Sequence, residues 1–62
     1  MIRLDEIMDI LSYSAVYTIN GEDYYQDQMT EIFKNSERWM VTFITQYDDY
    51  NINVMLEEIY YD

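Results

Sequence analysis

The sequence predicts an α+β domain, a small antiparallel sheet of about three strands with helices packed on one face. Three observations carry that reading. Two runs rich in β-branched and aromatic residues flank Asn20-Gly21, the dipeptide that favours the left-handed dihedrals of a tight hairpin turn. A third such run occupies 38–46. Apolar residues recur at helical spacing toward both ends of the chain.

The elements follow in order. Ile2, Ile7, Ile10 and Leu11 fall near one helical face, with Asp5, Glu6 and Asp9 on the other, so an amphipathic helix is expected to end near Ser12. Ala15–Ile19 and Glu22–Tyr25 then read as hairpin strands. A two-residue loop sets Ile19 opposite Glu22, Tyr17 opposite Tyr24 and Val16 opposite Tyr25, and such aromatic and β-branched pairs stabilise a hairpin. Asp27–Asn35 supports two readings. Tyr25, Met29, Ile32 and Phe33 fit a short helix capped by Asp27, whereas the alternation of Met29, Glu31 and Phe33 would extend the strand to a turn at 34–37. Trp39, Val41, Phe43 and Ile44, interleaved with Thr42 and Thr45, read as a central strand. After a cap at Asp48 or Asp49, Ile52, Met55, Leu56, Ile59 and Tyr60 share a helical face, although Ile52, Val54 and Leu56 also alternate as in a strand. The sheet face away from the helices is expected to be left open for a partner.

Sixty-two residues make one domain, and a chain of that length hides only about 60% of the surface its unfolded form exposes. Half of the residues are apolar, ample for a globular core. With no cysteine and no histidine, disulfides and structural zinc are excluded as staples. Dimerisation is the remaining common support for so small a core, and a homodimer is the expected form of it. The single glycine and absent proline argue against linkers and low-complexity tails. Met1 to Glu6 lacks the basic and apolar stretches of a leader, and no apolar run reaches membrane-spanning length. A cytoplasmic protein starting at its natural methionine is expected.

Charge is the dominant feature. Thirteen acids oppose three bases, for a net charge of −10. Arg3, Lys34 and Arg38 are too few and too scattered to hold a phosphate backbone, so direct binding to nucleic acid, or to an acidic membrane, is excluded. Catalysis lacks its usual parts. There is no histidine or cysteine, Ser12, Ser14 and Ser36 have no evident base, and Gly21 alone cannot form a phosphate-cradling loop. Adjacent acids such as Asp48-Asp49 and Glu57-Glu58 arise from abundance alone. Asp49, Asn51 and Asn53 match the first ligand positions of a calcium loop, but Val54 stands at its turn glycine and Tyr60 at its bidentate glutamate. No catalytic residue, metal or cofactor is expected.

What remains is binding. A scaffold that fixes carboxylates at the spacing of phosphates can occupy a basic nucleic-acid cleft. Helical neighbours three or four positions apart lie roughly 5–6 Å apart at Cβ, which suits Asp5 with Asp9, Glu6 with Asp9, and Glu58 with Asp62. Each such cluster taken alone also fits the solvated side of an amphipathic helix. Eight tyrosines add rigid contact area with polar tips; the pairs Tyr24-Tyr25 and Tyr60-Tyr61 fit an exposed anchor or the edge of a core equally well. Asp5, Glu6, Asp9, Glu22, Asp23, Asp27, Asp48, Asp49, Glu57 and Glu58 are the candidate phosphate surrogates. Tyr24, Tyr25, Tyr60 and Tyr61 are the candidate aromatic anchors.

This pattern resembles the small acidic, tyrosine-rich inhibitors of phages and mobile elements: DNA-mimicking uracil-DNA glycosylase inhibitors, anti-restriction proteins and anti-CRISPR proteins. Gly21-Glu22-Asp23-Tyr24-Tyr25 after the strand Val16–Ile19 is similar to the hairpin of a very small phage glycosylase inhibitor. The resemblance implies a non-enzymatic counter-defence inhibitor that acts in a bacterial host. It would block nucleic-acid binding by a CRISPR effector, repair enzyme or restriction enzyme through an acidic surface. The competing expectation is a small regulatory interaction module whose acidity serves solubility only.

Overall fold

The computed structural model describes residues 1–11 and 15–60. In chain order the elements are β1 (Ile2–Arg3), α1 (Leu4–Ile7), β2 (Ala15–Ile19), β3 (Glu22–Tyr24), α2 (Thr30–Lys34), β4 (Trp39–Gln46) and β5 (Ile52–Glu58). Single 3-10 turns occupy Gln26–Gln28 and Ser36–Arg38. The α+β class stands, with a larger sheet than expected: five strands in the order β1-β4-β5-β2-β3. It is also mixed rather than antiparallel, because β2 and β5 run parallel.

The hairpin forms where the turn chemistry demands it. Asn20 and Gly21 have φ of 53° and 82°, both in the region required by a turn whose twist matches its strands. Tyr17 pairs with Tyr24 and Ile19 with Glu22, as the two-residue loop dictates. The ladder stops there, since Tyr25 leaves β3 to begin the next turn. In that turn the Tyr25 amide donates to Gln28 Oε1 at 2.9 Å. Asp27 lies inside the turn, and Met29 holds the position before α2. Asp27 is therefore not the helix cap, and β3 does not run on to Phe33.

Two other expectations are corrected. The segment 52–58 is a strand, not a helix. Both periods were present in the sequence. The decision belongs to the sheet: β5 fills the slot between β4 and β2, pairing through Ile44↔Val54 on one side and Tyr17↔Val54 on the other. That satisfies its backbone on both edges, which an isolated helix of this length in water would not achieve as stably. Asp48 and Asp49 accordingly cap no helix. At the N-terminus Ile2 and Arg3 pair with Val41 and Met40, so α1 is a single turn that begins only at Leu4. The expected helix end at Ser12 lies outside the described residues.

β4 is interior only along its first part. β1 covers Arg3↔Met40 and Ile2↔Val41; beyond that, among the described residues, β4 is the sheet's edge, and β5 is its central strand. A bulge falls between Val41 and Phe43, and the Thr42 hydroxyl donates to the Met55 carbonyl at 3.2 Å, fastening the extra residue. The core gathers Leu4, Ala15, Tyr17, Ile19, Met29, Val54 and Leu56, with Ile32, Phe33, Trp39 and Val41 packed against it. Tyr17 meets Phe33 edge-to-face at 5.5 Å between ring centroids, an arrangement favoured by the ring quadrupoles.

Candidate functional site

Strand alternation sorts every side chain of the sheet to the core or away from it. Tyr17, Ile19, Val54, Leu56 and Val41 face the core. Their neighbours face away, and the register aligns these as rows across the strands. One row runs Asp23, Thr18, Met55, Phe43. A second holds Val16, Asn53 and Thr45, and a third holds Glu57, Met40 and Arg3. Polar side chains lock the first two rows together. Asn53 Nδ2 donates to Thr18 Oγ1 at 2.7 Å and to the Val16 carbonyl at 3.1 Å, and Thr18 Oγ1 donates to Asp23 Oδ1 at 2.8 Å.

This face is closed at one end and open at the other. Tyr47, which follows β4 on the same alternation, donates from its hydroxyl to Asp23 Oδ2 at 3.3 Å. That bond joins the end of β4 to β3, and Val16 is only 1% exposed although it points away from the core. The charges of Tyr25 and Asp23 beside it hold the Tyr47 hydroxyl above the ordinary phenol range. At the open end Phe43 is 59% exposed and Met55 38% exposed. Asp23 and Glu57, both exposed, flank these two apolar side chains. This end of the face is thus an apolar centre with an acid on either side.

The other candidate residues are dispersed. Asp5 and Glu6 lie on α1, where Arg3 Nε contacts them at 3.0 and 3.6 Å. Asp9 sits exposed in the turn after α1. The helical spacing proposed for Glu58 and Asp62 fails, since Glu58 ends a strand and Asp62 lies outside the described residues. Glu22 and Asp23 alternate to opposite faces, as do Glu57 and Glu58. Asp27 is exposed on its 3-10 turn. Asp48 serves the β4–β5 loop: its Oδ1 accepts from the Tyr50 and Asn51 amides, each at 2.8 Å. The Tyr50 amide and then the Asn51 side chain hold the Asp48 carboxyl below its usual range. Asp49 is exposed in the same loop. Asn53 of the calcium-like spacing is committed within the sheet, and no group of three potential metal ligands occurs among the described residues.

The tyrosines divide similarly. Tyr24 packs against the core, and its hydroxyl donates to Glu22 Oε2 at 2.9 Å, which is the main cause of its raised pKa. Tyr25 and Tyr60 are exposed, and Tyr61 lies outside the described residues. Tyr60 lines a cleft of about 140 Å³ with Asn20, Trp39, Glu57 and Glu58, at the end of the sheet away from Tyr47. Sequence reasoning missed Phe43, Met55 and Tyr47. Strict alternation places Phe43 on the same face as Val41, in the core; only the bulge turns it to the other face, and Met55 was absorbed into a helical face.

Comparison with family models, curated proteins and solved structures gives no match.

Proposed function

We propose that this protein is a non-enzymatic inhibitor. It docks the open face of its sheet on a basic nucleic-acid-handling protein, such as a CRISPR effector, restriction or repair enzyme, and blocks nucleic-acid binding. The observation that carries the reading is the pairing of exposed Phe43 and Met55 with the acids Asp23 and Glu57 on one face of a chain with net charge −10. Opposite charge steers the encounter, and the desolvated apolar centre sets how long the complex lasts. The test is capture on the immobilised protein at low salt followed by elution with duplex DNA. Release of a nuclease or repair enzyme by DNA, and its loss with Asp23→Asn/Glu57→Gln or Phe43→Ser, supports the proposal. A partner that resists both DNA and salt refutes mimicry.

That second outcome belongs to the rival reading, a regulatory interaction module whose acidity serves solubility. The exposed apolar pair Phe43 and Met55 favours it equally. The two readings differ in whether neutralising Asp23 and Glu57 weakens the complex.

A further inference from the structure

β5 outruns its parallel neighbour. The β2–β5 ladder ends at Ile19↔Leu56, where β2 turns through Asn20 and Gly21 into β3, so Glu57 and Glu58 pair with β4 alone, through Met40 and Trp39. Where β2 turns away lies the cleft of about 140 Å³ lined by Ile19, Asn20, Trp39, Glu57, Glu58 and Tyr60. Ile19 is buried and Tyr60 exposed, so the cleft reaches from the margin of the core to solvent.

Its lining suits a cation. Trp39 and Tyr60 bring two aromatic rings, whose quadrupoles attract positive charge, tryptophan most strongly. Glu57 and Glu58 bring two carboxylates that, among the described residues, have no ion-pair partner. The chain's own cations are placed elsewhere. Arg3 contacts Asp5 and Glu6, and Lys34 contacts Glu31. Arg38 lines a neighbouring cleft that shares Trp39 and Glu58, but Glu57 and Glu58 outnumber it. The volume is too small for a drug-sized ligand, which fills about 300 Å³ or more. It suits the head of one side chain.

We infer that this cleft receives one arginine side chain of the basic partner, its guanidinium against Trp39 and Tyr60 and its N–H groups toward Glu57 and Glu58. A guanidinium is planar, weakly hydrated and able to stack on rings, and its five donors can serve two carboxylates at once. The ammonium of lysine is a strongly hydrated point charge, which an apolar and aromatic wall desolvates at greater cost. Position supports the assignment as well. Glu57 follows Met55 by two residues on the same face of β5, about 7 Å at ~3.3 Å per residue, so a protein docked on Phe43 and Met55 borders the cleft. That a partner protein supplies the arginine rests on the function proposed above, whereas the chemistry of the cleft does not.

Trp39 is the only tryptophan of the chain, so its fluorescence reports the cleft directly. Titration of the full chain with N-acetyl-arginine amide at constant ionic strength is expected to give a saturable change. N-acetyl-lysine amide is expected to bind several-fold more weakly, and sodium chloride in its place to give no saturable change. Tyr60→Ala and Glu58→Gln, both at exposed positions, should each weaken arginine binding about two- to five-fold, the worth of one exposed cation–π contact or ion pair. Asp49→Asn removes the same charge from the loop at the opposite end of the sheet and should not weaken it. A response to the arginine amide no greater than to sodium chloride overturns the inference. So does lysine binding as tightly as arginine, or Asp49→Asn costing as much as Glu58→Gln. The titration contains no partner, so its failure leaves the capture experiment standing, and failure of the capture removes the partner while leaving the titration to be read.

Discussion

Gly21 offers a clean separation of backbone strain from steric crowding. Its φ is +82°, and a Cβ built there meets nothing within 4 Å, so any penalty for a side chain must come from the dihedral itself. An ordinary L-residue held in the left-handed region costs about 1–2 kcal/mol. Replacing glycine also removes freedom from the unfolded chain, which returns about 0.4–1 kcal/mol. Gly21→Ala should therefore lose about 1 kcal/mol net. At 0.05–0.15 kcal/mol per residue, the 62-residue domain has roughly 3–9 kcal/mol in all. With a urea m-value near 1 kcal/mol/M for so small a chain, the midpoint should fall by about 1 M. Gly21→Asn, which tolerates this region, should fall by less than half as much. Urea unfolding followed by circular dichroism reads both. Equal losses for Ala and Asn would mean that the turn objects to a side chain rather than to its dihedral, and an unchanged midpoint for Ala would refute the turn assignment.

Leu4 is fully buried and anchors α1 to the core, so Leu4→Ala should cost about 3–4 kcal/mol, enough to leave the domain at the margin of folding in thermal melts. Asp48 has a lowered pKa, so its contribution is present above the ordinary carboxylate range and lost as pH falls through its lowered folded value. The stability gap between wild type and Asp48→Ala should accordingly narrow toward strongly acidic pH. Tyr47 has a raised pKa, so its contribution holds below the ordinary phenol range and is lost as pH rises through its raised folded value. Ultraviolet phenolate titration should show that Tyr47→Phe removes a late-titrating phenol.

The hairpin was legible as far as Tyr17↔Tyr24 because its information is local: Asn20-Gly21 sets the loop, and the loop sets the register; the expected pair of Val16 with Tyr25 does not form, because Tyr25 leaves the strand. β4 was legible as a strand from its β-branched and aromatic run, but its place in the sheet was not. Whether a strand is central depends on what lies beside it, and β1 is only two residues long. The 52–58 segment was ambiguous for a physical reason. Ile52, Met55, Leu56 and Ile59 satisfy a period of 3.6, while Ile52, Val54 and Leu56 satisfy a period of 2. Only the vacancy between β4 and β2 decides between them, a tertiary override of local pattern. The open face follows from the same decision. With 52–58 as a helix, Met55 belongs to a buried stripe. As a strand, the same residue joins Phe43 in the exposed row.

That reassignment also changes what the acids can do. On a helix, acids three or four positions apart form a column, whereas on a strand adjacent acids separate to opposite faces and only alternate positions share one. Glu22 parts from Asp23, and Glu57 from Glu58. No described strand carries two acids at alternate positions, and the face with exposed Phe43 and Met55 receives one acid from β3 and one from β5. Charge thus surrounds the molecule instead of forming a ladder that copies a phosphate backbone atom for atom. On the proposed function, a surface of this kind would act through its long-range field, which raises the rate of encounter with a basic cleft. The short-range contacts would fall to the apolar row. Specificity for one basic protein over another would then reside in Phe43 and Met55, the two site residues with no charge at all.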